Sequence, residues 1–160
     1  MMLEREEAVR RQLIEWLGCP EDKCRVQRAR RIWLEVAKED FIKVVDFIAN
    51  TLKFGMLCTI TGLDAGEEIQ MIYHFARDDG IVLNVKQSAP KSDPVFETVT
   101  GHYQGATLYE IETMNLLGTS VKGIPDDIRY PLPDGWPEGQ HPLRKDWNRE
   151  VPEIKGEGEC

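Results

Sequence analysis

The chain has little with which to build a metal centre. Its four cysteines, Cys19, Cys24, Cys58 and Cys160, include no C-x2-C pair, and His74, His102 and His141 are too scattered to complete a ligand set. Glycines 101 and 105 make neither GxGxxG nor a Walker loop, so no nucleotide cradle is read either. Long apolar runs are missing: nothing approaches the ~20 residues needed to cross a bilayer. The opening MMLEREEAVRRQLIEWLG is charged throughout and lacks the uninterrupted apolar segment of a secretory signal. Positive charge is scarce as well. Twenty Lys and Arg against 28 Asp and Glu leave a formal charge of -8, which argues against a nucleic-acid partner, because phosphate binding wants a concentrated positive field. The expectation is a soluble intracellular chain that reaches a membrane only through partners or a surface contact.

What is present is a core. Hydrophobic residues make up 41% of 160 residues, enough to fold one domain. An amphipathic helix is expected over residues 2–17, with Leu3, Val9, Leu13, Ile14, Trp16 and Leu17 as its stripe and Gly18 as its end. Glu4, Glu6 and Glu7 sit where the helix field favours anions. Residues 25–37 read as extended, with arginines 25, 28, 30 and 31 forming a basic band that is paired internally, solvated, or turned to a ligand phosphate or an acidic partner. Asp40 caps a second helix, in which Phe41, Val44, Val45, Ile48 and Leu52 repeat at three to four residues and Gly55 marks the exit. Three strands follow at 56–62, 68–76 and 81–87, the last two joined by a tight Asp79-Gly80 turn. In the second of them His74 reads as a satisfied sheet histidine rather than a ligand. ATLYEIETMNLLG (106–118) predicts a third helix stopped by Gly118. The fold class is α+β, with helices packed on a mostly antiparallel sheet and an extended Pro-rich C-terminal arm.

The tail is where the pattern changes. Six of the nine prolines fall after residue 119, so regular structure is not expected there. Yet Ile124, Ile128, Tyr130, Leu132, Trp136, Leu143 and Trp147 are too apolar for a disordered linker. Aromatics among rigid prolines suggest an arm that lies on an apolar surface, much of it in another subunit. The resulting division is residues 1–24, an N-terminal helix and turn; 25–118, an α/β domain; 119–147, a partner-embracing arm; and 148–160, an acidic flexible tail.

Catalytic chemistry is poorly supported. Glu110 and Glu112 stand at i and i+2, so on a helix their side chains diverge by about 200° and form no acid/base dyad. His102 has no nucleophile at an interpretable spacing. A small enzyme using His102, Glu110 and Glu112 remains an alternative, as does an autonomous protein-binding module. Cys19 and Cys24 read first as ordinary thiols, then as a structural disulfide.

Three blocks carry a family resemblance: TLYEIETMNLLG (107–118), GIPDDIR (123–129) and HPLRKDW (141–147). They resemble the complex I 30 kDa subunit, which is the C subunit of NADH-quinone oxidoreductase. Its pattern runs W-Y-E-R-E-x-x-D-x-F-G, then G-H-P-D-L-R, then G-H-P-L-R-K-D-[YF]. Tyr109, Glu110, Glu112 and Gly118 match the first block. Pro125, Asp126 and Arg129 align with the second allowing one extra residue, and His141 to Asp146 match the third throughout. Ile111, Asn115, Leu117 and Ile124 depart from it. With those departures the chain looks most like the corresponding subunit of an archaeal membrane-bound [NiFe] hydrogenase or the related sulfane-sulfur reductase.

The resemblance implies a non-catalytic subunit of the peripheral electron-transfer arm, inactive alone, in a complex that couples electron transport to ion translocation. It implies no cofactor in this chain, with iron–sulfur clusters and a NiFe centre residing in partner subunits. The implied partners are a large subunit like the 49 kDa or [NiFe]-hydrogenase type, iron–sulfur subunits and, indirectly, antiporter-like membrane subunits, on the cytoplasmic face of the membrane. The docking residues expected on this basis are Tyr109, Glu110, Glu112, Asp126, Arg129, Trp136, His141, Arg144, Lys145, Asp146 and Trp147.

Overall fold

Alternation of period two in EIQMIYHFA sends Ile69, Met71, Tyr73 and Phe75 to one side of a strand, and all four are buried. That strand lies at the heart of a computed structural model describing residues 3–150 and 152. The chain runs α1 (Glu4–Leu17), β1 (Cys24–Arg28), β2 (Arg31–Glu35), α2 (Phe41–Asn50), β3 (Met56–Asp64), β4 (Glu68–Ala76), β5 (Val82–Pro90), β6 (Val95–Glu97), α3 (Ala106–Leu117) and β7 (Ser120–Lys122). The first five strands form one sheet in the order β1-β2-β5-β4-β3, antiparallel except for the β2–β5 pair. The α+β architecture with a mostly antiparallel sheet is as the sequence predicts.

The helices occupy the sheet face that carries Tyr73. Phe41 of α2 meets the Tyr73 ring at 4.6 Å, and Trp16 of α1 stacks on Phe47 of α2 at 4.2 Å. Gly62 of β3 lets α3 approach: a Cβ there would run into the Leu117 side chain, and would lie 3.2 Å from that of Thr113. Val9 and Leu13 of α1 share one cluster with the sheet and with α2, so the N-terminal helix packs into the domain rather than standing apart. The opposite sheet face carries a polar row in which His74 bridges Thr61 Oγ1 (3.0 Å) and Asn84 Oδ1 (2.7 Å). Its two ring nitrogens are thus engaged within the sheet.

Several local expectations are revised. The stretch expected to run extended over 25–37 is a hairpin, β1–β2, which turns at Arg30 with φ 62°. The Arg30 N–H donates to Glu6 Oε1 at 2.7 Å, so this carboxylate serves a distant turn in addition to its place near the α1 N-terminus. Asp40 makes no capping hydrogen bond and pairs with Lys43 at 3.3 Å instead. Lys53, not Gly55, takes the left-handed position after α2, with φ 61°. The region after Pro90 contains a short parallel pair, β6 with β7, where none was expected. Cys19 and Cys24, by contrast, are free thiols as first read, and burial pushes Cys24 up to about 12, far from a reactive thiolate. Cys160 and most of the 148–160 tail, residues 151 and 153–160, lie outside the described residues.

Candidate functional site

An α-helix leaves its last four carbonyls without partners of its own. In α3 those are Met114, Asn115, Leu116 and Leu117, and all four are satisfied from beyond the helix. Gly118 N–H returns to Met114 O at 3.0 Å with φ 67°, the left-handed closure expected of that glycine. The other three are served by the arm. His141 Nδ1 donates to Asn115 O at 2.9 Å, Leu143 N–H to Leu116 O at 3.0 Å, and Arg144 Nε to Leu117 O at 2.7 Å. Arg144 also reaches Gly118 O at 3.3 Å. A guanidinium here meets the negative end of the helix dipole as well as its free acceptors. Gly118 has a second reason to lack a side chain, since a Cβ would lie 2.5 Å from the His141 ring. Residues 141–144 are therefore a cap for α3.

The next two residues clamp onto the sheet. Asp64, at the end of β3, is buried; its Oδ1 accepts from Gly66 N–H at 2.8 Å. Its Oδ2 accepts from Lys91 Nζ at 2.8 Å and Lys145 N–H at 2.9 Å. Burial by itself would raise this carboxyl, but the three donors outweigh it and hold it at about 2. Lys91 extends the network to Asp146 at 3.1 Å. Between these anchors the loop closes on itself. Trp136 Nε1 donates to Gln140 O, and Trp147 Nε1 to Gln140 Oε1, with the two rings 6.3 Å apart.

The remaining candidate residues divide by environment. Glu110 is fully buried: Val99 N–H donates to Oε1 at 2.8 Å and Thr98 Oγ1 to Oε2 at 2.6 Å. Burial raises its carboxyl, and those two bonds only partly offset the shift. It fastens the loop before α3 from within the fold. Tyr109 donates its hydroxyl to Cys58 O at 3.1 Å, tying α3 to the edge strand β3. Glu112 lies half-exposed beside Leu116 and Leu143. Asp126 and Arg129 are exposed, the latter 3.7 Å from Glu138. His102 faces Asp46 of α2 at 3.5 Å. His102, Glu110 and Glu112 thus have separate neighbours and do not form the acid/base group that a small enzyme would need.

Sequence reasoning missed Asp64, Lys91, Thr98 and Gln140, which hold the expected residues in place. Asp64 follows the strand expected at 56–62, but its partners lie 27 and 81 residues away. Among the described residues, no group of three or more His, Cys, Asp or Glu side chains is arranged to hold a metal. No described helix is long and apolar enough to cross a membrane.

Residues 34–153 match the family model described as the respiratory-chain NADH dehydrogenase 30 Kd subunit. The F(420)H(2) dehydrogenase C subunit of Methanosarcina mazei is 35% identical over 120 residues, 73% of this chain and 75% of that one. The membrane-bound hydrogenase subunit beta of Pyrococcus furiosus is 29% identical over 134 residues, 80% of this chain and 77% of its own. In three dimensions a chain of the membrane-bound sulfane sulfur reductase, an archaeal respiratory membrane complex, superposes with a TM-score of 0.73 and 25% identity. That match covers 91% of this chain and 86% of the other.

Proposed function

The chain belongs to the respiratory-chain NADH dehydrogenase 30 Kd subunit family and is a subunit of a complex-I-related oxidoreductase; on that premise we propose that it is the non-catalytic scaffold which positions the large subunit. The observation that carries this reading is the two-sidedness of the arm. His141, Arg144 and the Lys145 amide turn inward onto α3 and Asp64, while Ile128, Tyr130 and Leu143 remain 41%, 43% and 55% exposed. An arm fixed by hydrogen bonds and apolar on its outside is prepared to be covered. Covering what remains exposed of each of those side chains contributes about 1 kcal/mol.

In this reading the docking residues fall into two groups. Glu110, His141 and Arg144 act from within by fixing α3 and the arm, whereas Glu112, Asp126, Arg129, Lys145 and the edges of Trp136 and Trp147 meet the partner. Electron transfer needs centres held at fixed separation, and a supporting chain supplies that rigidity with no cofactor of its own. Iron–sulfur clusters and a NiFe or quinone centre would sit in the partners, and ferredoxin-linked hydrogenase is the complex type we favour. The names of the membrane-bound relatives support a peripheral position at a membrane, held through other subunits, and the cytoplasmic face is part of our proposal.

The test is purification of the native complex through a tag on this chain after mild detergent extraction. Leu143→Asp and Tyr130→Asp are expected to leave the isolated chain's melting temperature within a degree or two, because both side chains are largely exposed. They are expected to reduce recovery of the large subunit about tenfold. Undiminished recovery with both variants would remove the docking role.

A further inference from the structure

The arm and the last turn of α3 enclose a cleft of about 170 Å³ between Asn115, Gly118, Asp126, Arg129 and His141. Three acceptors belong to residues that line it. Asn115 is 6% exposed; its Nδ2 is engaged by Ile111 O at 2.9 Å and Ile128 O at 3.1 Å. Its Oδ1 is buried and, among the described residues, has no hydrogen-bond partner. Turning the amide over would set that oxygen against two carbonyls, so the orientation is fixed. His141 donates through Nδ1 to Asn115 O, which leaves Nε2 of the neutral ring as an acceptor. The exposed Asp126 carboxylate is the third.

All three stand at the C-terminal end of α3, where the helix dipole favours positive charge. Arg129 also lines the cleft, but Glu138 lies 3.7 Å from its guanidinium. A buried acceptor without a donor is unfavourable, and a group offering several N–H donors with positive charge suits acceptors of this kind.

We infer that this cleft receives a cationic side chain, an arginine or lysine, from the subunit that covers the arm. The inference rests on the scaffold reading and names the chemistry of its central contact. The partner's cation would donate to Asn115 Oδ1 and pair with Asp126, locking the arm onto the partner at the point where the arm is locked onto α3.

The experiment uses the native complex. With p-benzoylphenylalanine incorporated at position 126, irradiation is expected to join this chain to a partner peptide within two residues of an Arg or Lys. Asp126→Arg, at an exposed position that leaves the fold undisturbed, is expected to speed dissociation of the complex about tenfold. Reversing the mapped partner cation to Glu should restore retention. Cross-links confined to this chain, or to a partner segment without Arg or Lys, in a complex that still assembles, would overturn the inference, assign the cleft to solvent and leave the scaffold reading standing. Failure of the unmodified chain to bring down any large subunit would overturn both.

Discussion

The helix-and-sheet body and the arm are stabilised by different means. In the body, Phe75, Leu34, Leu83, Ile48 and Phe96 have no exposed surface, and burial of apolar area holds the layers together. In the arm, Ile128, Tyr130 and Leu143 are exposed and the fixed points are polar: three groups on the carbonyls of α3 and one amide on Asp64. The body would be expected to fold by itself. The arm needs the body's unsatisfied groups to hold its shape, and it presents its apolar surface elsewhere.

The contrast is broken most strongly from the body. Phe75→Ala removes a fully buried ring that meets both Tyr73 and Tyr103, and is expected to destabilise the chain by about 3–5 kcal/mol in chemical denaturation. The arm should be lost along with the body. Arg144→Ala works the other way. It removes a charged donor from Leu117 O and Gly118 O, a loss of about 1.5–3 kcal/mol confined to the arm and the last turn of α3. Hydrogen exchange should then show faster exchange at residues 141–147 while β4 and β5 keep their protection. Equal loss in both regions would show that the two parts are one cooperative unit.

An effect confined to low pH distinguishes the clamp itself. Asp64 titrates at about 2 in the fold, below about 3.9 in an unfolded chain. Its contribution is therefore complete above the unfolded value and is lost as pH falls towards about 2, on the order of 2 kcal/mol. The Lys145 amide signal should shift over that window in an NMR titration, and Asp64→Asn should abolish the shift. An Lys145 amide that moves instead with the ordinary carboxylates near pH 4 would separate Asp64 from the arm.

How far all this could be read in advance depends on the range of the determining contact. Gly118 was legible as a helix stop because the bond it completes lies four residues away, on Met114. The Asp79-Gly80 hairpin and the stripe of α2 were legible for the same reason. The turn at Arg30 was not. It contains no glycine or asparagine, and it is fixed by Glu6 from 24 residues earlier. Lys53 likewise holds a left-handed position usually left to glycine, at the end of a helix bound into the core. The three-residue strands β6 and β7 are too short to show a period and exist because they find each other.

The same division runs through the candidate site. The sequence by itself marked the residues that carry the family resemblance, since patterns of Tyr, Glu, Gly, His and Arg persist in the chain whatever their direction. It also determined the alternation and stripes that make the sheet and its helices, because those depend on neighbours within a few residues. Only the tertiary structure decided which way the marked groups face. Glu110, read as a docking carboxylate, is sealed against Thr98 and Val99, and Arg144 closes α3 rather than reaching outward. The physical reason is that a hydrogen-bonding side chain takes whichever unsatisfied group the fold brings to it, and those groups, on α3 and Asp64, exist only once the sheet and helices have packed.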